Sequence, residues 1–303
     1  MRLIDGFLNL LKPPGMTSHD VVAWVRRQVG VKRVGHLGTL DPAAAGVLPV
    51  SLGGATRLFQ FAAGEEKAYR AEVVFGVTTD TLDAEGRIVA EADAGGVSEE
   101  RLRQVIPRFL GEITQRPPAY SAVQVGGRRL HELARAGAAV SAPERRVCIR
   151  ALDLISFTPG RAAAALLEVV CSPGTYVRTL AAEVGEAVGC PAYLGFLVRT
   201  RAGRFALEEA VTMEELASAV EAGEAERHLL PPDWPLAHFP AVTLDSRHER
   251  VFLHGGRVLS QCRPTPLARV YGPESSFLGI GEVLSGGQVR PRLVLASPEG
   301  ERL

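Results

Sequence analysis

The stretch that decides the fold is Gly35-His36-Leu37-Gly38-Thr39-Leu40-Asp41-Pro42, followed by Ala43-Ala44-Ala45-Gly46-Val47-Leu48-Pro49-Val50. It places a single carboxylate, that of Asp41, in a glycine-punctuated loop, with His36 five residues upstream. An Asp-Pro pair is typical of a turn. A loop carboxylate between apolar segments can also be a reacting group. These residues alone leave both interpretations open.

Local patterns before this stretch predict a strand and then a helix. Gly6–Lys12 has apolar residues at strand spacing, and the Pro-Pro-Gly sequence that follows should end the strand. Thr17-Ser18-His19-Asp20 has the Thr-x-x-Asp pattern of a capping box, so a helix is expected to begin there. Gly30 should end that helix.

A second strand is predicted over residues 67–77, and Tyr69 lies at its start. A tyrosine in this position usually packs half-buried against its neighbours. The turn-rich residues 78–86 that follow contain Asp80 and Asp83. Their spacing fits neither a calcium loop nor a transition-metal cluster.

Further along, two strands are predicted over residues 147–157 and 164–171, and a helix follows them. Tyr176 and Arg178 should lie near the N-terminal end of that helix. The helix dipole disfavours a cation at this end. Arg178 is therefore expected to have a carboxylate or phosphate partner.

The charge of the chain is balanced overall but unevenly distributed. Its 303 residues carry 34 basic and 34 acidic side chains, for a net charge of zero. Residues 1–60 carry seven Lys or Arg against three Asp or Glu, and residues 101–150 carry ten against three. Residues 205–250 reverse the balance, with three against ten. This pattern allows a basic face at 101–150 and 199–204 that could meet phosphates, although a solvated surface of mixed sign explains it as well.

Several function classes are disfavoured by missing patterns. The four cysteines form no C-x-x-C pair and have no histidine at zinc-ligand spacing, which predicts a reducing, cytoplasmic compartment without a metal. The glycine-rich residues 53–57 lack the Gly-Lys-Ser/Thr of a phosphate loop. No apolar run has the length of a signal peptide or a membrane span.

The remaining candidates suit chemistry on a flipped nucleobase. A carboxylate can act as a nucleophile when it is ionised, and a nearby guanidinium would favour the ionised form by lowering the pKa of Asp41. Tyrosines beside basic segments can stack on an unpaired base. The residues alone permit this chemistry without selecting it.

The chain resembles the TruB family of tRNA pseudouridine synthases over nearly its whole length. The resemblance is carried by motifs in the order of the family: Leu11-Lys12-Pro13-Pro14-Gly15-Met16-Thr17-Ser18, Gly35–Pro42 with Gly46–Pro49, Lys67-Ala68-Tyr69, Pro117-Pro118-Ala119-Tyr120-Ser121-Ala122, Gly174-Thr175-Tyr176-Val177-Arg178-Thr179-Leu180 and Leu197-Val198-Arg199-Thr200. Val198 departs from the pattern, since many relatives have arginine there, and the phosphate contact of that arginine is not expected.

The resemblance implies isomerisation of uridine 55 in the T arm of tRNA, without cofactor or metal. Asp41 is implied to be the nucleophile, adding to C6 of the base or to C1′ of the ribose. Tyr69 is implied to stack on the base and help remove the C5 proton, and Arg178 to pair with Asp41. Substrate-binding roles are implied for the remaining residues: Tyr176 and Leu197 around the base, His36 at the flipped nucleoside, and Lys12 beneath the active-site loops. A purely structural ion pair is the alternative for Lys12.

The expected fold class is α+β. Residues 1–240 are predicted to form a pseudouridine-synthase-like catalytic domain with a mixed, mainly antiparallel sheet flanked by helices. Residues 241–303 change to short strands and turns, which predicts a small PUA-like β-barrel that binds RNA. A cytoplasmic monomer acting on tRNA is expected. The alternatives are a non-catalytic RNA-binding protein and an RNA-guided relative that works in a complex.

Overall fold

The structure is a computed structural model that describes residues 5–62, 64–121, 123–135 and 142–295. Residues 296–303 of the predicted second domain lie outside the described residues. The helices are α1 (Ser18–Val29), α2 (Phe59–Ala62), α3 (Glu99–Val105), α4 (Leu130–Arg135), α5 (Val177–Val188), α6 (Met213–Glu221) and α7 (Ser246–Leu253). The strands are β1 (Gly6–Lys12), β2 (Val34–His36), β3 (Ala45–Leu52), β4 (Lys67–Phe75), β5 (Val77–Thr79), β6 (Ile88–Glu91), β7 (Gly111–Gln115), β8 (Gln124–Val125), β9 (Arg128–Arg129), β10 (Arg145–Thr158), β11 (Ala164–Cys171), β12 (Ala192–Ala202), β13 (Phe205–Ala206), β14 (Ala241–Thr243), β15 (Val258–Leu259), β16 (Thr265–Tyr271), β17 (Phe277–Val283) and β18 (Gln288–Val294).

The larger sheet is mixed and mainly antiparallel, as predicted. Its order is β1-β3-β12-β4-β11-β10-β7, with β2 added to β3 and β13 added to β12. β3 and β12 run parallel, with Val198 beside Ala45, whereas the other pairs of this sheet are antiparallel. The start of β3 therefore meets β12 directly after the Asp41 loop. The next strand, β4, places Tyr69 opposite Arg199.

The helix before the Asp41 loop begins and ends where its sequence signals predict. The hydroxyl of Thr17 accepts from the backbone N–H of Asp20, and the Asp20 side chain reaches back to complete the capping box. Gly30 adopts the left-handed conformation at the C-terminal end, with φ of 70°. Val21 and Val25 are fully buried against Leu8 and Leu48 of the sheet, which fixes α1 beside the loop.

Two predicted elements are divided in the structure. The strand predicted over 67–77 breaks at Gly76, whose φ of 96° interrupts the ladder between β4 and β5. Pro107 ends α3 as expected, because the chain continues from Ile106 as a 3-10 turn.

The main core lies between the sheet and helices α3 and α5. It is formed by apolar residues of β4, β10, β11 and β12 together with Leu102 of α3 and Leu180 and Val184 of α5. Leu40 and Leu197 belong to the same core. The segment that carries Asp41 is thus tied to the centre of the molecule on one side.

The C-terminal strands form a separate five-stranded sheet in the order β14-β16-β17-β18-β15. Helix α7 packs on it through Phe252, which is fully buried. The sequence analysis missed this helix, although Asp245 is a recognisable N-cap that accepts from the N–H groups of Arg247 and His248. The helix is short and polar, and only one of its side chains is buried, so its apolar pattern is weak.

The two sheets share an apolar contact. Ile280, Leu293 and Leu295 of the C-terminal unit pack with a cluster that includes Phe7 and Phe205. The guanidinium of Arg57 also donates to the Val294 carbonyl at 2.8 Å. This contact couples the folding of the two units.

Candidate active site

Lys12 holds the loop that carries Asp41. Lys12 lies at the end of β1 and is fully buried, and its Nζ donates to the carbonyls of Pro13 (2.9 Å), Pro42 (3.1 Å) and Ala44 (2.6 Å). Burial lowers the pKa of Lys12 to about 8. The three donors of one ammonium therefore tie the chain that leaves β1 to the residues that directly follow Asp41. A direct ion pair, the alternative for Lys12, is absent from the salt bridges of the described residues.

Ser18 fixes the residue immediately before Asp41. Its hydroxyl accepts from the backbone N–H of Leu40 at 2.9 Å and donates to the Leu40 carbonyl at 3.1 Å. Gly15 adds a backbone hydrogen bond to the carbonyl of Pro42 at 2.8 Å. The motif around Lys12 and the motif around Asp41 are therefore one structural unit. Sequence analysis did not identify the role of Ser18, because its position after a helix cap already explained it.

Arg178 meets Asp41 across the cleft. Its Nε lies 3.0 Å from Oδ2 of Asp41, and its Nη2 lies 3.4 Å from Oδ1. The guanidinium also donates to the carbonyls of Thr81 (3.2 Å) and Tyr120 (2.9 Å). The Arg178 side chain is 6% exposed, whereas that of Asp41 is 42% exposed. The buried cation thus orients a carboxylate that remains open to a substrate.

Asp83 is the second carboxylate of this site, and sequence analysis missed it. Its Oδ2 lies 3.2 Å from Nη1 of Arg178. The Thr81 hydroxyl and the backbone N–H of Glu85 both donate to its Oδ1. Arg178 therefore bridges two carboxylates, one open and one enclosed. Asp83 was considered only as a metal ligand, because no local pattern indicated that α5 would deliver an arginine beside it.

The pKa of Asp41 is raised from its ordinary value by burial. Arg178 opposes the shift, Asp83 adds to it, and Lys12 opposes it. Arg178 therefore acts in the expected direction, because its guanidinium lowers the pKa of Asp41. The sequence analysis did not foresee the low-dielectric surroundings of the carboxylate, which outweigh this effect.

Tyr69 lies beneath the loop in contact with the main core and is 7% exposed. Burial raises the pKa of its phenol, and the neighbouring guanidinium of Arg199 opposes that shift. Arg199 is fully buried and donates to the carbonyls of Val47 (2.7 Å) and Gly38 (3.0 Å). Arg199 therefore links the Asp41 loop, β3 and Tyr69.

Leu197 lines the cleft, whereas Tyr176 is not among its lining residues. The larger side chains of the lining are those of Asp41, Asp83, Arg178, Leu194, Phe196 and Leu197. Tyr176 is the N-cap of α5, so it lies two residues before Arg178. The guanidinium of Arg145 lies over its ring, 5.3 Å from the centroid.

His36 is not among the residues that line the cleft, and within the described part of the chain no hydrogen bond or ion pair joins it to Asp41. It ends β2, and its ring packs edge-on against that of His19 with centroids 5.4 Å apart. Burial, followed by the charges of His19 and Arg199, lowers the pKa of His36 to about 4. The imidazole is therefore neutral near pH 7 and can offer a packing surface rather than a charge.

The predicted basic face is smaller than expected. Arg199 is buried, and Arg204 stacks on the Trp234 ring at 4.3 Å. Within 101–150, Arg103, Arg116 and Arg150 are each paired with a glutamate. The inclusion of residue 199 in a phosphate-binding face is therefore wrong. A run of arginines read along the chain does not show which of them turn inward.

Neither a metal site nor a membrane-spanning helix is found in the part of the chain that the structure describes. The described residues contain no group of three or more His, Cys, Asp or Glu side chains placed to hold a metal ion. No helix among them is long and apolar enough to cross a membrane.

Three family models together match most of the chain. The TruB family pseudouridylate synthase N-terminal domain matches residues 26–177. The tRNA pseudouridylate synthase B C-terminal domain matches residues 178–237, and the pseudouridine synthase II TruB C-terminal model matches residues 240–295. The first model thus contains Asp41, Tyr69 and Tyr176, and the second begins at Arg178.

Curated relatives and solved structures agree with these models. The chain is 55% identical over 252 residues to tRNA pseudouridine synthase B of Symbiobacterium thermophilum, covering 83% of this chain and 82% of the relative. It is 46% identical over 291 residues to the protein of the same name from Moorella thermoacetica, covering 95% of each. Its fold matches a chain of a Cbf5-Nop10-Gar1 complex with a TM-score of 0.75 and 27% identity, over 97% of this chain and 86% of that one.

A mixed sheet with flanking helices, followed by a smaller C-terminal sheet, is therefore the pseudouridine synthase fold, and the C-terminal sheet is compatible with a PUA-like unit. Identity above 40% to relatives over most of their length joins this fold to one group of enzymes. The chain belongs to the TruB family of pseudouridine synthases.

Proposed function

We propose that this enzyme isomerises uridine to pseudouridine at position 55, in the T arm of tRNA, with Asp41 as the nucleophile. The observation that carries the proposal is the contact of Arg178 with Asp41 at 3.0 Å, in a cleft where Asp41 is the more exposed of the two carboxylates that Arg178 binds. The names of the relatives, tRNA pseudouridine synthase B, support tRNA as the substrate. Those names specify no position in tRNA, so the T arm rests on the sequence resemblance.

In the proposed reaction the atoms of the nucleotide are rearranged without net loss or gain. Asp41 adds through one carboxylate oxygen to C6 of the base or to C1′ of the ribose. The bond between C1′ and N1 breaks, the freed base turns, and C5 bonds to C1′. The proton leaves C5, N1 gains a proton, and the carboxylate is released. The addition step needs an ionised Asp41, which the paired Arg178 favours.

Tyr69 is proposed to stack on the flipped base and to help remove the C5 proton. The contact of its phenol with the buried guanidinium of Arg199 supports this role, because Arg199 also donates to the Gly38 carbonyl of the Asp41 loop and so fixes the ring beside that loop. The stacking surface is fixed by the core in which Tyr69 is packed. An ordered platform loses little entropy when the base arrives.

The other predicted residues are proposed to bind or support the nucleotide. Leu197 and Tyr176 would pack around the base from β12 and from the start of α5. His36 would meet the flipped nucleoside as a neutral imidazole. Lys12 would act from below, by keeping the backbone around Asp41 in place through its three carbonyl contacts.

The division of labour along the chain is also a proposal. Residues 1–240 would carry the chemistry, and residues 241–303 would form the PUA-like unit that adds contacts to tRNA. The enzyme is expected to act as a monomer in the cytoplasm and to need no cofactor or metal ion. Exposed arginines that pair with no carboxylate among the described residues, such as Arg128 and Arg146, are available for phosphates.

An assay with the purified chain and a bare T-arm stem-loop tests this function. The expected result is pseudouridine at the position equivalent to uridine 55 and at no other uridine of the stem-loop. The structural neighbours include a chain of an H/ACA RNP bound to a substrate RNA, so an RNA-guided enzyme is the competing candidate. Turnover by the chain alone excludes the need for a guide. Binding of tRNA without any modification would instead favour a non-catalytic RNA-binding protein.

A further inference from the structure

Gln115 makes a two-point contact with the backbone of Tyr176. The side-chain Oε1 accepts from the backbone N–H of Tyr176 at 3.0 Å, and Nε2 donates to the Tyr176 carbonyl at 3.3 Å. Gln115 is the last residue of β7 and is fully buried. An amide side chain supplies both the donor and the acceptor that this contact requires.

The contact is needed because Tyr176 begins a helix without a side-chain cap. The first N–H groups of a helix have no partner within the helix. Gln115 fills this gap from another element, 61 residues away in sequence. It therefore ties the start of α5 to the edge of the main sheet.

The pairing of β7 with β10 also positions the ring of Tyr176. Gln115 is paired with Arg145 in the ladder between β7 and β10. Arg145 places its guanidinium over the Tyr176 ring. One cross-strand pair thus fixes both the backbone and the ring of Tyr176, and Arg178 follows two residues later on the same helix.

The second N–H of the Gln115 amide faces Glu183, two turns along α5. Burial raises the pKa of Glu183 to about 7, its hydrogen bond with Gln115 opposes the shift, and the charge of Glu186 adds to it. The charged groups around the Gln115 amide are therefore Glu183 and Glu186 on α5 and Arg145 on β10. Arg116, the next residue in the chain, turns outward to Glu144.

We propose that Gln115 is a positioning residue of the active site: its buried amide clamps the Tyr176 backbone and so sets where Tyr176 and Arg178 stand against Asp41. The inference rests on the proposed function, because it assigns Tyr176 and Arg178 to the reaction. Gln115 touches neither substrate nor Asp41. It acts through the first turn of α5.

Two variants separate the clamp from a general structural role. Gln115→Met keeps the length of the side chain and removes both hydrogen bonds to Tyr176, together with the one to Glu183. It is expected to lower the single-turnover rate on the T-arm stem-loop by about 10- to 100-fold. Affinity for the stem-loop should change little, because phosphate contacts elsewhere supply most of it.

Gln115→Glu keeps the acceptor for the Tyr176 N–H but loses the donor to the Tyr176 carbonyl. Protonation of the introduced carboxylate restores that donor, and Glu183 close by makes protonation easier. The rate of Gln115→Glu divided by that of wild type is therefore expected to rise as pH falls from about 8 to about 6. Gln104→Glu, the same substitution at an exposed site on α3, should match wild type at every pH.

A third measurement does not depend on activity. The Tyr176 amide hydrogen should exchange faster with solvent in Gln115→Met than in wild type, since Gln115 is its acceptor. Unchanged exchange, or rates of both Gln115 variants equal to wild type at all pH values, overturns the clamp. A Gln115→Glu defect of constant size across pH also overturns it. If wild type forms no pseudouridine, the proposed function fails, and exchange at Tyr176 still decides whether the clamp exists.

Discussion

At the scale of single residues, the site depends on one arginine shared by two unlike carboxylates. Asp41 is the open partner of Arg178 and Asp83 is the enclosed one. The enclosed carboxylate gives the guanidinium a second partner that does not depend on Asp41. Asp83 also adds negative charge near Asp41 and so contributes to the raised pKa of that group.

The pH dependence of the reaction should reflect these charges. In the proposed reaction Asp41 acts as the anion, and its pKa lies above the ordinary value of 3.8. Activity should therefore be present above the raised pKa and should be lost as pH falls through it. In Asp83→Asn a negative neighbour disappears, so the acid limb of the pH–rate profile should move to lower pH.

The same Asp83→Asn variant should be slower at neutral pH, by about tenfold or more, because Arg178 loses a fixed partner and its orientation relaxes. Asp153→Asn, an exposed carboxylate on β10, is the matched control and should behave as wild type. Single-turnover rates measured across pH check both statements. An acid limb that stays in place in Asp83→Asn would show that Asp83 does not act on Asp41.

Sequence analysis recovered part of this site. The cation at the start of α5 was expected to need an anionic partner, and the family resemblance supplied Asp41. Asp83 and Gln115 were not found, because their roles depend on the packing of α5 against distant strands. Arg199 was wrongly assigned to the phosphate-binding face for the same reason, because the sequence does not show which arginine side chains point into the core.

At the scale of elements, the ends of helices were predicted correctly where neighbouring residues determine them. The capping box at Thr17, the helix end at Gly30 and the interruption at Pro107 are all set by residues next to each other. The break at Gly76 escaped prediction, because the apolar alternation continues through it. The order of the strands could not be read from periodicity, since it depends on which edges meet.

A substitution of Lys12 tests how the elements are held together, because its side chain joins the end of β1 to the loop between β2 and β3. Lys12→Met should leave three carbonyls without their donor and lower the free energy of unfolding by about 2 to 4 kcal/mol. The rate on the stem-loop should fall as well, because the Asp41 backbone loses its anchor. Denaturant unfolding and single-turnover kinetics measure the two effects.

Lys32→Met provides the control for Lys12→Met, since Lys32 is exposed in the turn after α1. It should change neither the free energy of unfolding nor the rate. Equal behaviour of the two lysine variants would contradict the anchoring role of Lys12.

At the scale of the whole molecule, the C-terminal sheet shares a core with the catalytic unit. Ile280 is fully buried in that shared cluster. Thermal unfolding followed by calorimetry should therefore show one cooperative transition, and Ile280→Ala should lower its midpoint, with a loss of about 2 to 5 kcal/mol. Two transitions, of which Ile280→Ala shifts only one, would contradict the coupling.

Binding of the stem-loop should weaken steeply with salt, because contacts to phosphates release counterions. The dissociation constant is expected to rise by about 10- to 1000-fold between about 50 mM and about 200 mM salt. Asp41→Asn removes no basic group and should show the same slope. A flat dependence would contradict the use of the exposed arginines for RNA.

The central claim is that Asp41 carries the chemistry, and Asp41→Asn tests it most directly. The variant should fold, because Arg178 retains Asp83 as its ion-pair partner and the loop retains its contacts with Lys12 and Ser18. Pseudouridine formation in a T-arm stem-loop should be measured for both proteins in a single turnover, with enzyme saturating. Wild type is expected to convert uridine to pseudouridine, and an Asp41→Asn variant that folds and binds RNA is expected to form none. Conversion by Asp41→Asn at a rate near that of wild type would contradict it.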